Sequence, residues 1–269
     1  MQLLYVKSTL LFVFIYYIIG YRRKVVKGNL NLVFPEKSIA EIKQIEKQFY
    51  KHLCDLVFET IKSLTISEEE LKKRFVYENM EVLNTYFDNK RSTLVLCGHY
   101  GNWEWSNIAP AFTKAEPFGV YKPIRNKHLD ALVKKIRGRF GAKIISNKQI
   151  VSTLFRSSKR NEYSMTLLVA DQTPKMDNFK HRDSFMGINV PVFTGTEELA
   201  KKLDFNTVYL KVIKVRRGYY KAEFVPLAED PKQFEDFQIT RLFLDEVEKQ
   251  IYEDPQFYLW SHKRWKHRE

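Results

Sequence analysis

The chain has 269 residues, 44% hydrophobic and 14% aromatic, with 45 Lys and Arg against 32 Asp and Glu for a formal net charge of +13. That length carries one large domain or two small ones; 10 Gly, 9 Pro and no internal repeat exclude collagenous, low-complexity and disordered chains. Cys54 and Cys97 have no CxxC spacing, which excludes a disulfide scaffold or a cysteine zinc site and points to a reducing compartment.

Residues 3–19 are apolar apart from Lys7, Ser8 and Thr9. As a helix they reach about 25 Å, the lower limit for crossing a hydrocarbon core of roughly 30 Å with Lys7 snorkelling. Tyr16, Tyr17 and Tyr21 stand where an aromatic belt would lie, and Arg22, Arg23, Lys24 and Lys27 follow at once. A basic flank of this kind places the following chain on the cytoplasmic side. We therefore expect residues 1–21 to be a membrane anchor, spanning or lying in the interface, rather than a buried core helix or a cleaved signal peptide.

Ser38 and Glu41 form a capping-box pattern after Pro35, and apolar residues then recur at helical spacing through Leu64. Ser67 to Glu70 starts a second, short helix. Beyond Arg91 short apolar runs (93–97, 118–121, 143–145, 166–170, 208–213) alternate with helical patterns (102–113, 127–140, 147–159, 195–204). Residues 219–225 add a hairpin partner, and 233–252 a closing helix. Strands spaced by helices predict an α/β fold, a largely parallel central sheet flanked by helices with the hydrophobic helix at its N-terminus. With no linker in sight, residues 22–269 read as one domain.

Within residues 94–105, LVLCGHYGNWEW, stands a His-x4-Glu pair, His99 and Glu104. Six histidines among 32 acids produce such a pair by chance about as often as not, so context must carry the weight. His99 directly follows a buried strand, where open α/β sheets bind ligands. Gly101 and Asn102 permit the tight reversal that brings a loop histidine and a first-turn glutamate together. A neutral imidazole held by a carboxylate is a general base for a hydroxyl or amine; a strand-end histidine satisfied by a cap is the bland alternative. Cys97 offers a rival Cys–His nucleophile, although a cysteine inside TLVLC is more often a small core residue.

The stretches 21–38, 98–105 (GHYGNWEW), 120–143, 167–174 (LLVADQTP), 186–203 and 255–268, in that order, resemble the late lipid A acyltransferases. These are the lauroyl and myristoyl transferases within the lysophospholipid acyltransferase superfamily. The resemblance implies transfer of a fatty acyl chain from an acyl carrier protein or CoA thioester to a hydroxyl of a lipid A precursor. His99 would be the general base and Glu104 its orienting carboxylate. It also implies substrate contacts from Asn102, Arg137, Arg139, Asp171 and Gln172. Arginine forks match phosphate oxygens, with a solvated basic helix face as the plain alternative. Asp171 and Gln172 follow the strand at 166–170, where a loop-closing bond is nearly as good a reading. The loop 174–190 departs from the family pattern, which leaves a lysophospholipid or aminolipid open as acceptor.

Thr194 to Glu197 reads as another capping box, and the tail 260–268 mixes aromatic and basic residues in a way that suits a membrane interface or an acidic carrier protein. Beyond the thioester co-substrate no cofactor is expected, and no metal, since His262 and His267 lack ligand-spaced partners. The expected partners are membrane lipid, the acyl carrier protein and the lipid A precursor. Dispersed basic residues without a recognition motif argue against nucleic acid. The expected location is a bacterial inner membrane, with the catalytic domain cytoplasmic.

Overall fold

The computed structural model describes residues 1–269, the side chain of Asn178 apart. Helix α1 (Gln2–Val13) continues through a π-helical stretch, Phe14–Ile19. The whole of Gln2–Ile19 is long and apolar enough to cross a membrane by length and composition. Helices α2 (Arg23–Val33) and α3 (Ile39–Lys62) follow. The capping box forms as the sequence predicts: the Ser38 hydroxyl accepts from Glu41 N–H at 3.3 Å, and the Glu41 carboxylate accepts from Ser38 N–H at 2.8 Å.

One face of α1 lies on α3. Phe12 and Tyr16 are buried there, the Ser8 hydroxyl donates to Asp55 at 2.6 Å, and the Tyr5 hydroxyl donates to Glu59 at 2.8 Å. The other face, with Leu3, Val6, Leu10, Phe14 and Ile18, is exposed. These side chains leave an apolar stripe along the surface of the helix.

The remaining elements are α4 (Glu68–Arg74), β1 (Phe75–Tyr77), α5 (Met80–Asp88), β2 (Thr93–Cys97), β3 (Glu116–Tyr121), α6 (Lys127–Arg137), β4 (Lys143–Ser146), α7 (Ile150–Lys159), β5 (Ser164–Val169), β6 (His181–Phe185), β7 (Ile188–Val192), α8 (Gly195–Leu203), β8 (Asn206–Arg216), β9 (Tyr219–Ala228) and α9 (Gln238–Glu253). Seven strands form one sheet in the order β1-β9-β8-β2-β5-β3-β4. The five from β8 to β4 are parallel, β9 runs against β8, and β1 is parallel to β9. Strands β6 and β7 make a separate antiparallel pair. Every residue of β2 is buried, as a strand covered on both faces requires, and its unbroken apolar run reflects that place. The α/β fold with a mostly parallel sheet and an N-terminal apolar helix is thus the one the periodicity predicts.

Some elements differ from the sequence reading. Helix α2 carries Gly28 and two asparagines, poor helix formers, yet Val26, Leu30 and Val33 are buried. Asn29 also donates to the Trp260 and His262 carbonyls at 2.9 and 2.8 Å. Residues Trp103–Phe112, expected as an α-helix, form a 3₁₀ helix containing Pro110. The capping box at Thr194 does not form. The Thr194 hydroxyl donates to Glu198, while the Glu197 carboxylate accepts from Phe237 N–H, Thr240 N–H and the Thr240 hydroxyl. Glu197 therefore caps α9 across the fold, a site favoured by the helix dipole. The tail is also corrected: Trp260, Arg264 and Trp265 are buried, so its aromatic residues belong to the core rather than to an interface.

Candidate functional site

Strands β2 and β5 are neighbours, with Cys97 level with Val169. Two residues past each strand end stand His99 and Asp171, so the register itself sets them opposite one another. His99 Nδ1 donates to Asp171 Oδ1 at 2.6 Å, and His99 backbone N–H donates to Asp171 Oδ2 at 3.1 Å. The Asp171 side chain is 1% exposed, against 19% for His99. Burial pushes the Asp171 carboxyl up, but attraction to His99 and the hydrogen bonds from its ring and backbone outweigh it. The carboxyl is held below the usual range. With its proton fixed on Nδ1, the imidazole presents Nε2 as the acceptor, and Gln172 Nε2 donates to it at 3.1 Å.

The carboxylate on the imidazole is therefore Asp171, where the sequence pointed to Glu104. Glu104 is committed elsewhere: Arg137 donates to it in a two-point fork, Nε to Oε2 at 2.9 Å and Nη2 to Oε1 at 2.5 Å. Glu104 opens the 3₁₀ helix and Arg137 closes α6, so the pair ties those two elements together beside the site. Arg139 Nη1 donates to the Ser63 carbonyl at 2.5 Å, at the end of α3. Asn102 is wholly buried. Its Oδ1 caps the 3₁₀ helix at Trp105 N–H, 3.0 Å, and its Nδ2 donates to Glu59 at 2.7 Å, so its bonds are structural. Cys97 is buried, and burial, with the carboxylates Asp171 and Glu104 nearby, pushes its thiol well above the usual range. A thiol so disposed makes no thiolate near neutral pH.

The loop carrying His99 is pinned from three sides. The His99 carbonyl accepts from Leu259 N–H at 3.1 Å, and Gly101 N–H donates to the Phe257 carbonyl at 3.0 Å. Gly101 has φ +58°, and a Cβ there would lie 3.0 Å from Val212 Cγ1, so both backbone and space require glycine. The Gly101 carbonyl accepts from His52 Nε2 at 3.1 Å, and His52 Nδ1 accepts from Lys214 Nζ at 3.1 Å. Burial and the Lys214 charge hold the His52 ring well below the ordinary histidine range. His52 was not singled out in the sequence, because inside α3 it reads only as one polar residue on a helix.

Two spaces meet this site. A narrow cavity of about 50 Å³ runs along the sheet face, with Trp103, Glu104 and Arg137 beside Phe118, Gly119, Ile144 and Leu167. The Trp103 ring lies 5.0 Å from the His99 ring. A wider groove of about 490 Å³ lies between the end of the N-terminal helix and α3. It includes Ile15, Arg22, Cys54, Gln172 and His262. Burial lowers the His262 ring to about 4, against a partial rise from Asp171. Among the described residues, no three His, Cys, Asp or Glu side chains converge to hold a metal ion.

Fold and site together define an α/β protein with a histidine–carboxylate pair at the carboxyl ends of two parallel strands, flanked by an apolar cavity and an apolar N-terminal helix. Residues 9–267 match the family described as bacterial lipid A biosynthesis acyltransferase, and the chain belongs to that family. It is similar to lipid A biosynthesis acyltransferase 2 of Shigella flexneri, 23% identical over 155 residues, which cover 56% of this chain and 48% of that protein. The chain thus matches about half the length of this curated relative.

Proposed function

We propose that the protein transfers a fatty acyl group from a thioester of acyl carrier protein or CoA to a hydroxyl of a lipid A precursor, at the cytoplasmic face of a bacterial inner membrane. The observation that carries this reading is His99, its Nδ1 proton fixed by buried Asp171, with Trp103 of the apolar cavity and Gln172 of the groove beside the N-terminal helix against its ring. The acceptor hydroxyl replaces Gln172 at Nε2 and gives up its proton there. Its oxygen attacks the thioester carbonyl, the C–S bond breaks, and the departing sulfur takes the proton from the imidazolium. No acyl-enzyme is needed, because the thioester is already activated and both substrates are held together. General-base catalysis supplies roughly 10²–10⁴-fold, and alignment much of the rest.

The narrow cavity takes the donor's acyl chain, its walls parting as the chain enters, and the Glu104–Arg137 pair borders its mouth. The groove beside Ile15 and Gln172 admits the acceptor from the membrane side. Family membership and the exposed apolar face of α1 support this arrangement. The test is competition between acceptors: detergent-solubilised protein receives an acyl carrier protein thioester with equal amounts of an under-acylated lipid A precursor and a lysophospholipid. A mass gain of one acyl group on the lipid A precursor is expected. Transfer to the lysophospholipid alone would move the acceptor to that class.

A further inference from the structure

On the other side of α3 from the acceptor groove lies a cavity of about 550 Å³ between α1, α3 and the β8–β9 turn, within the roughly 300–1,000 Å³ range of small-molecule sites. Four cations line it, Lys51, Lys214, Arg216 and Arg217, against one carboxylate, Asp55. Two of these cations are matched. Arg217 forks onto Asp55 at 2.6–3.0 Å, and Lys214 lies 3.7 Å from the same carboxylate. The other two are not. Among the described residues Lys51 and Arg216 make no ion pair; Lys51 lies over the Phe12 ring at 5.8 Å and Arg216 over the Tyr219 ring at 4.0 Å. Both side chains therefore face the cavity with donors to spare.

The rest of the lining is mixed, with Ser8, Thr9, Gln48 and Gln256 beside the apolar side chains. Phe12 and Val13 of α1 close one side, and exposed Val13 continues into exposed Leu10 and Val6 along the same helix. A basic pocket opening onto an apolar stripe has the amphiphilic pattern of a lipid, charge at one end and hydrocarbon beside it. Guanidinium and ammonium donors around an open pocket match the outer oxygens of a phosphate.

We propose that this cavity binds the phosphate of a membrane lipid, whose chains lie along Val13, Leu10 and Val6 of α1. It lies apart from the His99 site and does not rest on the acyl-transfer reading. The site would seat the protein on the membrane at a fixed depth and orientation, with α1 as one wall of the pocket.

The test is calorimetric titration of the full chain, in zwitterionic detergent at 0.15 M salt, with short-chain phosphatidate and, in parallel, with inorganic phosphate. Phosphatidate is expected to bind saturably and at least tenfold more tightly than inorganic phosphate. The double variant Lys51→Ala/Arg216→Ala should weaken phosphatidate binding at least tenfold, while Lys148→Ala/Arg156→Ala, which removes the same charge elsewhere, leaves it unchanged. Melting curves check that each variant is folded, and Arg216→Gln alone serves if the double variant is not. Three results would overturn the proposal: no saturable phosphatidate binding by the wild type, equal loss in the two double variants, or inorganic phosphate binding as tightly as phosphatidate.

Discussion

Replacing Asp171 by Asn separates orientation from shape at the candidate site. The aspartate accepts two bonds, from His99 Nδ1 at 2.6 Å and from His99 backbone N–H at 3.1 Å, whereas a carboxamide has one accepting oxygen and one donating nitrogen. If the oxygen keeps the backbone bond, the amide nitrogen faces Nδ1 and drives the ring proton to Nε2, the tautomer that cannot act as base. If the oxygen keeps Nδ1, the amide confronts the backbone N–H, donor against donor, at a cost of about 1–3 kcal/mol. The first arrangement is favoured, so kcat should fall by about 10²–10⁴-fold, the whole general-base contribution. Loss of a charge-assisted bond, about 1.5–3 kcal/mol, should lower the Tm by about 4–10 °C at this chain length. Nitrogen-15 NMR of labelled histidine reads the tautomer, and thioester turnover reads kcat. Glu104→Gln should leave the wild-type tautomer in place. An Asp171→Asn protein with the proton still on Nδ1 and near-normal turnover would refute the reasoning, as would a tautomer change in Glu104→Gln.

Other outcomes follow from the same geometry. Arg139→Ala should lower stability by about 1–2 kcal/mol through the lost bond to the Ser63 carbonyl and leave kcat/KM unchanged; a raised KM would return Arg139 to a substrate role. Gly119→Ala places a Cβ 3.0 Å from Ile144 Cδ1 inside the narrow cavity, so competition between donors of different length should shift toward shorter chains. An unchanged preference would move the acyl chain elsewhere. His262 is lowered to about 4 by burial, below an unfolded value near 6.5. The unfolded chain thus takes up the proton first, and this part of the stability, complete above pH about 6.5, is lost as pH falls toward 4. Denaturant titrations should show His262→Gln flattening that window; an identical slope in the two proteins would contradict it. Asp171, with its carboxyl held low, contributes stability that is present above pH about 3.9 and lost on further acidification.

Most of the central sheet, β2 to β5 with β8 and β9, and the helices between its strands were legible because buried runs such as TLVLC and helical spacing like that of α3 state their environment directly, whereas β1, α5 and the β6–β7 pair were not read. His99 was legible for the same reason, as the polar residue that ends an apolar strand. Its partner was not, since Glu104 is near in sequence whereas Asp171 is near only once β2 and β5 are side by side. Both His99 and Asp171 stand two residues past a strand end, a coincidence that becomes a contact only with the strand order and register. Arg137 and Arg139 show the same limit: two residues apart in one basic block, they go to Glu104 and to Ser63. Helix α2 and the buried tail were missed because their polar residues, Asn29 and Arg264, find carbonyl partners far along the chain, and pattern alone treats such residues as solvent-facing.

The most direct measurement is acyl transfer by wild-type protein beside His99→Ala, in detergent, with an acyl carrier protein thioester and an under-acylated lipid A precursor, and products weighed by mass spectrometry. A gain of one acyl group with the wild type, reduced at least 10²-fold in a folded His99→Ala protein, is the result expected. Equal product from the two would contradict His99 as the base.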